Sequence, residues 1–410
     1  MEFRQYQADI ITKGVNVLLQ HKFLYLAMEV RTGKTLTSLG ISQRLGCKNL
    51  LFVTKKKAIT SIQSDYEMLS PPYNICVINY ESLHKLEPDD WDMVILDEAH
   101  GMGAFPKPSK RARQVKEIIK KTDCYVCLLS GTPTPESYSQ MYHQVFGIPT
   151  NPFREFVNFY KFSKVHVDVK ERKINSLYIR DYSRGRQSIL DLMKPYTISY
   201  TQKEAGFKVD TKEHVLNVRM NDTTYYVAKR LQKDLVVEGS NNTILADTPA
   251  KLMQKLHQLY SGTIIFEDGS STIIDLTKAE FIIDRFRDKK IGIFYKFKAE
   301  LKALKEVYGE KLTTELSVFE DTDKCIALQI VSGREGISLR QAEALVYFNI
   351  DFSATSYWQS RDRMTTKDRL KSDVYWVFAD KGIEHKIYQM VIKKKDYTLR
   401  HFKKDLLTLN

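Results

Sequence analysis

The stretch "YLAMEVRTGKTLTSLG", residues 25–40, joins an apolar run to a segment of helical pattern through Gly33-Lys34-Thr35. In phosphate-binding loops, N–H groups at a helix start hold phosphate oxygens, a lysine neutralises phosphate charge and a Ser or Thr hydroxyl binds Mg²⁺. The usual pattern G-x-x-x-x-G-K-[ST] begins with a glycine, where this chain has Met28. The stretch therefore predicts a strand, a turn and a helix. The turn is either a phosphate loop with an altered glycine pattern or an ordinary connection that contains GKT by chance.

The composition describes a large globular chain that is basic. With 410 residues, 43% hydrophobic and 28% charged, it has material for two or three domains. The net charge of +13 points to a polyanionic partner, nucleic acid first, with a solvated basic surface as the alternative. No apolar run approaches the ~20 residues that span a bilayer, and the start "MEFRQYQADI" lacks signal-peptide character. A soluble, cytoplasmic protein is expected.

The five cysteines are scattered, as expected for an intracellular chain. Cys124 and Cys127 form a C-x-x-C inside an apolar run. In a strand, residues three apart point to opposite faces, so the two thiols would not share a metal ion. We therefore expect structural cysteines rather than a zinc site.

Short apolar runs alternate with helical patterns over residues 1–150 and again over 246–410. This rhythm predicts an α/β fold with two parallel sheets covered by helices. Between them, residues 151–245 interleave basic and aromatic residues with less strand pattern, which suits either a nucleic-acid surface or a helical connection. The run "GTIIFEDGSSTIIDL" predicts a hairpin that turns at Asp268-Gly269, either a strand-separating wedge or a plain connection.

The stretch "VILDEAH", residues 94–100, places two carboxylates at the end of an apolar strand. Open α/β sheets bind ligands at the carboxyl ends of their strands. We assign Asp97 to Mg²⁺ and Glu98 to the attacking water, with a solvated acidic strand end as the alternative. The later run "LLSGTPTPES", residues 128–137, is by itself only a good turn.

In sequence, an aromatic–Gln start, GKT, DEAH and SGTP resemble the superfamily 2 helicases and translocases, most closely the Swi/Snf-type DNA-dependent ATPases. The likeness covers nearly the whole chain. It implies two tandem RecA-like domains, 1–150 and 246–410, with a helical middle segment, and ATP and Mg²⁺ as cofactors. The implied activity couples ATP hydrolysis in an interdomain cleft to movement along DNA or its remodelling, in replication, recombination or repair.

The resemblance also implies a role for individual residues. "FRQYQ" resembles the opening motif whose last glutamine reads adenine; "QIVSGREGISL" and "YWQSRDRM" resemble motifs V and VI. Implied catalytic residues are Lys34, Asp97, Glu98, Gln359 and Arg363. Implied nucleotide contacts are Gln7, Arg31, Thr32, Gly33, Lys34, Thr35 and Gly336, with Thr35 and Asp97 on Mg²⁺. Implied nucleic-acid contacts are Thr54, Lys55, Asn79, Tyr80, Ser332 and Gly333.

Three positions depart from the family pattern. Arg31 stands at the first glycine of a D-E-x-G-x-G-K-T run, so it must adopt a backbone conformation that glycine takes freely, or the loop is shaped differently. Thr366 stands where relatives have a second motif VI arginine, which Arg361, Lys367 or Arg369 would have to replace. Thr201-Gln202 stands where many relatives carry paired arginines.

The resemblance leaves two alternatives: an RNA helicase, and a nucleotide-gated DNA-binding assembly factor with little turnover. We expect a minimal motor that works as a monomer on duplex or single-stranded DNA, with replication or repair proteins as partners. Its compactness and divergent motifs suit a phage or mobile element, acting at the nucleoid or a viral replication site.

Overall fold

The computed structural model describes residues 2–86, 90–174, 177–206, 210–239, 242–333, 339–364 and 371–393. The chain consists of two compact units, Met1–Phe207 and Lys208–Asn410. Each unit contains one six-stranded sheet in which every pair of neighbouring strands is parallel. The prediction of an α/β fold with two parallel sheets is confirmed.

The first unit alternates strands and helices as its sequence predicts. Its strands are β1 Phe23–Met28, β2 Asn49–Thr54, β3 Asn74–Asn79, β4 Met93–Leu96, β5 Tyr125–Leu129, β6 Lys170–Ile174, β7 Leu177–Asp181 and β8 Thr197–Tyr200. Its α-helices are α1 Gln5–His21, α2 Lys34–Arg44, α3 Ile59–Leu69, α4 Lys110–Ile119, α5 Met141–Val145, α6 Phe159–His166 and α7 Ser188–Met193. The sheet order is β3-β2-β4-β5-β1-β8.

Both faces of this sheet are covered by apolar side chains. Along β1, Phe23 and Tyr25 belong to one buried cluster, whereas Leu24 and Leu26 belong to another. Successive side chains of a strand point to opposite faces, so the two clusters are the two faces of the sheet. This double burial explains why the strands are continuous apolar runs rather than alternating ones.

The second unit contains the longest strand pair of the chain. Its strands are β9 Asp210–Val218, β10 Val236–Glu238, β11 Thr243–Leu245, β12 Thr263–Ile265, β13 Ser271–Ile273, β14 Ile291–Tyr295, β15 Leu312–Thr313, β16 Cys325–Gln329, β17 Ala344–Tyr347 and β18 Lys371–Ala379. Its α-helices are α8 Asp222–Asp234, α9 Pro249–Leu259, α10 Thr277–Arg285, α11 Lys298–Tyr308, α12 Leu316–Asp321, α13 Ile330–Gly333, α14 Ala354–Arg361 and α15 Glu384–Val391. The sheet order is β15-β16-β14-β17-β18-β9. The hairpin predicted at Asp268-Gly269 is β12–β13, with Gly269 at φ 82°.

The boundaries of the units differ from those predicted. In the predicted middle segment, residues 151–245, the described residues include β8, which pairs with β1, and β9, which pairs with β18. The division therefore lies at 207/208 rather than at 150 and 246. Both strands join their sheets as edge strands, through pairings with strands far away in sequence that a local pattern does not reveal.

Two further observations concern the chain as a whole. Among the described residues, no helix combines the length and apolar character needed to cross a membrane. The five cysteines, which all lie in the described part of the chain, form no disulfide bond; Cys124 directly precedes β5 and Cys127 lies within it, and both are buried.

Candidate nucleotide site

The predicted phosphate loop connects the end of β1 to the start of α2. Two of its residues have left-handed backbones, Arg31 at φ 64° and Gly33 at φ 82°. The sequence predicts a glycine-like backbone or a differently shaped loop at Arg31, and the structure has the first. An arginine in this conformation is strained where glycine is not, so neighbouring contacts must hold the loop.

Three carbonyl groups of the loop are bound by side chains from elsewhere in the unit. The donors are the Gln202 amide to Val30 (2.9 Å), the Tyr6 hydroxyl to Thr32 (3.1 Å) and the Gln7 amide to Gly33 (3.4 Å). In a trans peptide, the C=O and the following N–H point in opposite directions. Each of the N–H groups of Arg31, Gly33 and Lys34 therefore points away from the donor that binds the preceding carbonyl, as is needed if these backbone amides are to bind an anion.

Gln7 lies against this loop, although the resemblance implies that it reads adenine. Its side chain is 3% exposed, and its Oε1 accepts a hydrogen bond from the Arg4 N–H (3.1 Å). A Cβ at Gly33 would stand 2.5 Å from the Gln7 Nε2, and the backbone there is left-handed, so a larger residue would be strained and would displace the Gln7 amide. The structure thus shows Gln7 supporting the phosphate loop; an adenine contact stays a prediction.

Lys34 lies between the loop and the SGTP stretch. Its Nζ donates to the Glu29 carbonyl (3.3 Å). A Cβ placed on Gly131 would lie 3.5 Å from this same Nζ. The structure therefore brings the ends of β1 and β5 to one place, as expected for neighbouring parallel strands.

Asp97 directly follows β4, at the same edge of the sheet. Its Oδ2 accepts a hydrogen bond from the Thr54 hydroxyl (2.8 Å). The loss of surrounding water, and secondarily the charge of Glu98, raise the pKa of Asp97 to about 6, against the lowering effects of the Thr54 bond and the Lys34 charge. A carboxylate in this position gains from a cation beside it, which fits the predicted Mg²⁺ ligand.

Glu98 lies close to His100, which in turn contacts Ser130 of the SGTP stretch. Its backbone is left-handed, with φ 50°, and its Oε2 lies 3.3 Å from the His100 Nδ1. The same nitrogen is 3.0 Å from the Ser130 hydroxyl, which also accepts the Thr132 N–H (3.1 Å). Sequence reasoning assigned no role to His100 or Ser130, although both belong to motifs that it singled out.

The residues present suit Mg²⁺ only together with oxygens from a ligand. Among the described residues, no group of three or more His, Cys, Asp and Glu side chains is suited to a metal ion. Asp97 and the Thr35 hydroxyl in the first turn of α2 would supply two ligands. Mg²⁺ is typically bound by one or two carboxylates plus phosphate oxygens, which agrees with this donor set.

The predicted nucleic-acid contacts fall into three groups. Thr54 and Tyr80 are buried, with 0% and 1% exposure, and the Tyr80 hydroxyl donates to the Asp97 carbonyl (2.6 Å). Their side chains therefore position Asp97, and a contact of these two residues with DNA stays a prediction. Asn79 accepts the Ser82 N–H (2.8 Å), and Lys55 is half-buried. Ser332 and Gly333 end α13.

In the second unit, Gln359 lies on α14 and Arg363 on the 3₁₀ turn that follows. The Arg363 Nε donates to the Gln359 carbonyl (3.0 Å). Gly336, Thr366, Lys367 and Arg369 lie outside the described residues. The predictions that concern them stay predictions.

Arg361, one of the three substitutes considered for the missing motif VI arginine, has a structural role in the second unit. Its Nη1 lies 3.0 Å from the Glu213 Oε1, and its guanidinium stacks 4.5 Å from the Trp358 ring centroid. Glu213 also accepts hydrogen bonds from Tyr357 and Trp376. These contacts tie Arg361 to the core of its own unit.

A comparison with protein families matches residues 25–261 to the SNF2-related domain, which is more than half of the chain. This chain belongs to the SNF2-related family. The family model begins within β1 and covers all of the phosphate loop, the DEAH and SGTP stretches and Gln202 of the SNF2-related chain. The resemblance to Swi/Snf-type superfamily 2 proteins is thereby confirmed.

Among solved structures, the SNF2-related chain is similar to the SWI2/SNF2 ATPase core of Sulfolobus solfataricus in complex with dsDNA. The identity is 16%, the match covers 96% of this chain and 91% of that chain, and the TM-score is 0.43. For the ATPase core domain from the same organism, the identity is 16%, the coverage 96% and 89%, and the TM-score 0.40. No curated protein matches.

Proposed function

We propose that this SNF2-related protein is an ATP-dependent DNA translocase or helicase. The observation that supports the proposal best is the meeting of a phosphate loop with an acidic pair at one edge of one parallel sheet. Burial and then the charge of Glu98 raise the pKa of Asp97, whereas the Thr54 hydrogen bond and the positive charge of Lys34 lower it. A lysine at the start of a helix, together with two carboxylates at the end of a nearby strand, is a set of groups that binds a metal–triphosphate.

Each group of the site would have a distinct role in hydrolysis. The N–H groups of the loop and the Lys34 ammonium would hold the β- and γ-phosphates. Thr35 and Asp97 would hold Mg²⁺, which neutralises phosphate charge when bound. Glu98 would orient the attacking water and accept its proton.

Residues of the second unit would complete the reaction. Arg363 would stabilise charge that develops on the transferred phosphoryl group, an effect worth about 10³ or more in rate. Gln359 positions that arginine, because its carbonyl accepts a hydrogen bond from the Arg363 Nε (3.0 Å).

Charge supports nucleic acid as the partner. The net charge of +13 favours binding to a phosphate backbone without sequence preference. Lys55, Asn79, Ser332 and Gly333 are the proposed contacts. ATP binding and ATP hydrolysis would each change how tightly the protein binds the strand. Alternation between the two states would move the protein along DNA during replication, recombination or repair.

The deciding experiment measures ATP hydrolysis with duplex DNA, single-stranded DNA and RNA in parallel, followed by strand displacement. We expect DNA to stimulate ATP hydrolysis. Lys34→Ala should abolish this stimulation because the nucleotide no longer binds, whereas Glu98→Gln should abolish it while nucleotide binding is retained. Lys121→Ala, which changes an exposed lysine of the same unit, is the control. Stimulation by RNA alone would identify an RNA helicase. Near-zero turnover in all variants, with DNA binding that responds to ATP, would identify an assembly factor.

A further inference from the structure

The turn that follows β8 lies directly on the phosphate loop. The Glu29 N–H donates to the Tyr200 carbonyl (2.9 Å), which extends the β1–β8 pairing by one residue. The Gln202 N–H donates to the Glu29 Oε2 (2.7 Å), and the Gln202 Nε2 donates to the Val30 carbonyl (2.9 Å). The loop and the turn are therefore joined by hydrogen bonds from both backbone and side-chain groups.

The turn is held rigid by its own hydrogen bonds. The Thr201 N–H and hydroxyl both donate to the Glu204 Oε2, each at 2.7 Å, and the Glu204 N–H donates back to the Thr201 Oγ1 (3.2 Å). The bond from the Thr201 hydroxyl, and then that from its N–H, lower the pKa of Glu204. The carboxylate thus stays ionised at neutral pH and keeps both bonds.

A second contact joins the same segment to the loop through an aromatic pair. The Tyr200 ring stacks on the Tyr6 ring, with centroids 4.8 Å apart and planes at 15°. The Tyr6 hydroxyl in turn donates to the Thr32 carbonyl (3.1 Å). Two carbonyls of the loop, those of Val30 and Thr32, are therefore held by groups that Tyr200 and Gln202 position.

The Val30 carbonyl matters because the next residue is Arg31, whose backbone is left-handed at φ 64°. Outside contacts must offset the strain of that conformation. The hydrogen bond from Gln202 fixes the Val30–Arg31 peptide plane, so that the Arg31 N–H points to the opposite side. The N–H groups of Gly33 and Lys34 likewise follow carbonyls that are bound by side chains, those of Thr32 and Gly33.

We propose that Gln202 is a positioning residue of the phosphate site, which holds the Arg31 N–H in the direction that a phosphate oxygen requires. Glu29 holds Gln202 in place in turn. Gln202 lies five residues before the end of the first unit at Phe207 and contacts the loop that follows β1. The proposal rests on the proposed binding of ATP.

The test compares Gln202→Met, which keeps the side-chain length without a donor, and Gln202→Ala with the wild-type chain. Gln63→Ala, which changes an exposed glutamine on α3, is the matched control. We expect the Kd and KM for ATP to rise about 3- to 10-fold in both Gln202 variants, as for one lost hydrogen bond. The value of kcat should stay within about twofold, because neither variant alters a group that touches the reacting atoms.

Amide hydrogen exchange of the nucleotide-free protein gives a second readout that does not depend on ATP. In the Gln202 variants, exchange should accelerate at residues 30–34 and stay unchanged in α3 and α4. The proposal would be overturned if exchange at residues 30–34 did not change in the Gln202 variants. It would also be overturned if their Kd for ATP equalled that of the wild-type chain while exchange in the rest of the protein was normal.

The background Arg31→Gly separates positioning from a general loss of stability. Glycine takes the left-handed conformation without strain, so Gln202→Met should weaken ATP binding less there than in the wild-type chain. An equal loss in both backgrounds would overturn the link to Arg31. A wild-type chain that does not bind ATP would contradict the proposed function instead. The exchange measurement would still show whether Gln202 holds residues 30–34 in place.

Discussion

The Thr54 hydroxyl donates a hydrogen bond of 2.8 Å to the Oδ2 of Asp97, so the end of β2 orients the carboxylate that follows β4. The two strands are neighbours, with Val53 opposite Leu96 in the register. Thr54 is fully buried, and its bond opposes the rise in the pKa of Asp97 that burial causes. A residue in a stretch that resembles a DNA-contacting motif thus acts on the acidic pair.

Replacing Thr54 tests this relationship. Thr54→Val removes the donor at nearly constant shape, so we expect the pKa of Asp97 to rise further and the acidic limb of the ATPase pH profile to move to higher pH. The unfolding free energy should fall by about 1–2 kcal/mol at neutral pH. Thr54→Ser keeps the hydroxyl and serves as the control. An acidic limb that does not move in Thr54→Val would contradict the role assigned here.

Asp97→Asn should change the pH dependence of stability. The folded pKa of about 6 lies above the ordinary value of 3.8 for an aspartic acid side chain, so the folded state binds the proton more tightly than the unfolded state. This contribution to stability is therefore present below about pH 4 and is lost as the pH rises through 6.

Without Mg²⁺ and nucleotide, we accordingly expect Asp97→Asn to be more stable than the wild-type chain by about 3 kcal/mol at pH 7.5, and by less than about 1 kcal/mol at pH 4. Urea unfolding at both values measures this. Asp191→Asn, at an exposed position on α7, should show no such difference; a constant offset at both pH values in Asp97→Asn would refute the explanation.

Arg363 and Arg361 should respond differently to substitution. Arg363→Ala should lower kcat by about 10³-fold with little change in stability, if its guanidinium meets the developing phosphoryl charge. Arg361→Ala should instead lower stability, because its guanidinium pairs with Glu213. Turnover and urea unfolding of both variants decide the matter. Loss of turnover in Arg361→Ala at unchanged stability would show that Arg361 replaces the missing motif VI arginine.

The Glu213 carboxylate accepts hydrogen bonds from several side chains of the second unit, including Tyr357 (2.7 Å) and Trp376 (2.9 Å). Glu213→Ala would leave these groups and the Arg361 guanidinium without their shared acceptor. We expect a loss of about 3 kcal/mol in the unfolding free energy, visible in the fluorescence of Trp358 and Trp376 during urea unfolding. Glu310→Ala, at a fully exposed carboxylate, is the control, and an equally small effect in both variants would disprove the prediction.

Binding to DNA should depend strongly on salt. Each phosphate neutralised by a lysine or arginine releases counterions, so log K should fall linearly with log[salt]. With a net charge of +13, we expect several such contacts and a loss of affinity of at least about 10-fold between 50 and 200 mM salt. Fluorescence anisotropy with a labelled duplex measures the slope. An affinity that does not change over this range would speak against an electrostatic grip on the backbone.

The amino-acid sequence by itself determined the two parallel sheets, the position of the phosphate loop and the acidic pair. Strands buried on both faces are continuous apolar runs, and residues at strand ends follow directly from them. The left-handed backbone of Arg31 could also be anticipated, because it is a local conformational requirement. The hairpin at Asp268-Gly269 is local in the same sense.

Only the tertiary structure decided which distant residues complete the site. Gln202 meets Glu29 across 173 positions of sequence, because β8 joins the sheet beside β1. Thr54 faces Asp97 because β2 and β4 are neighbours, and Tyr80 reaches the Asp97 carbonyl from the turn after β3, on the other side of β2. Arg361 is held by Glu213 because β9 pairs with β18. These contacts depend on strand order, and strand order is set by the packing of the whole unit rather than by any single stretch of the chain.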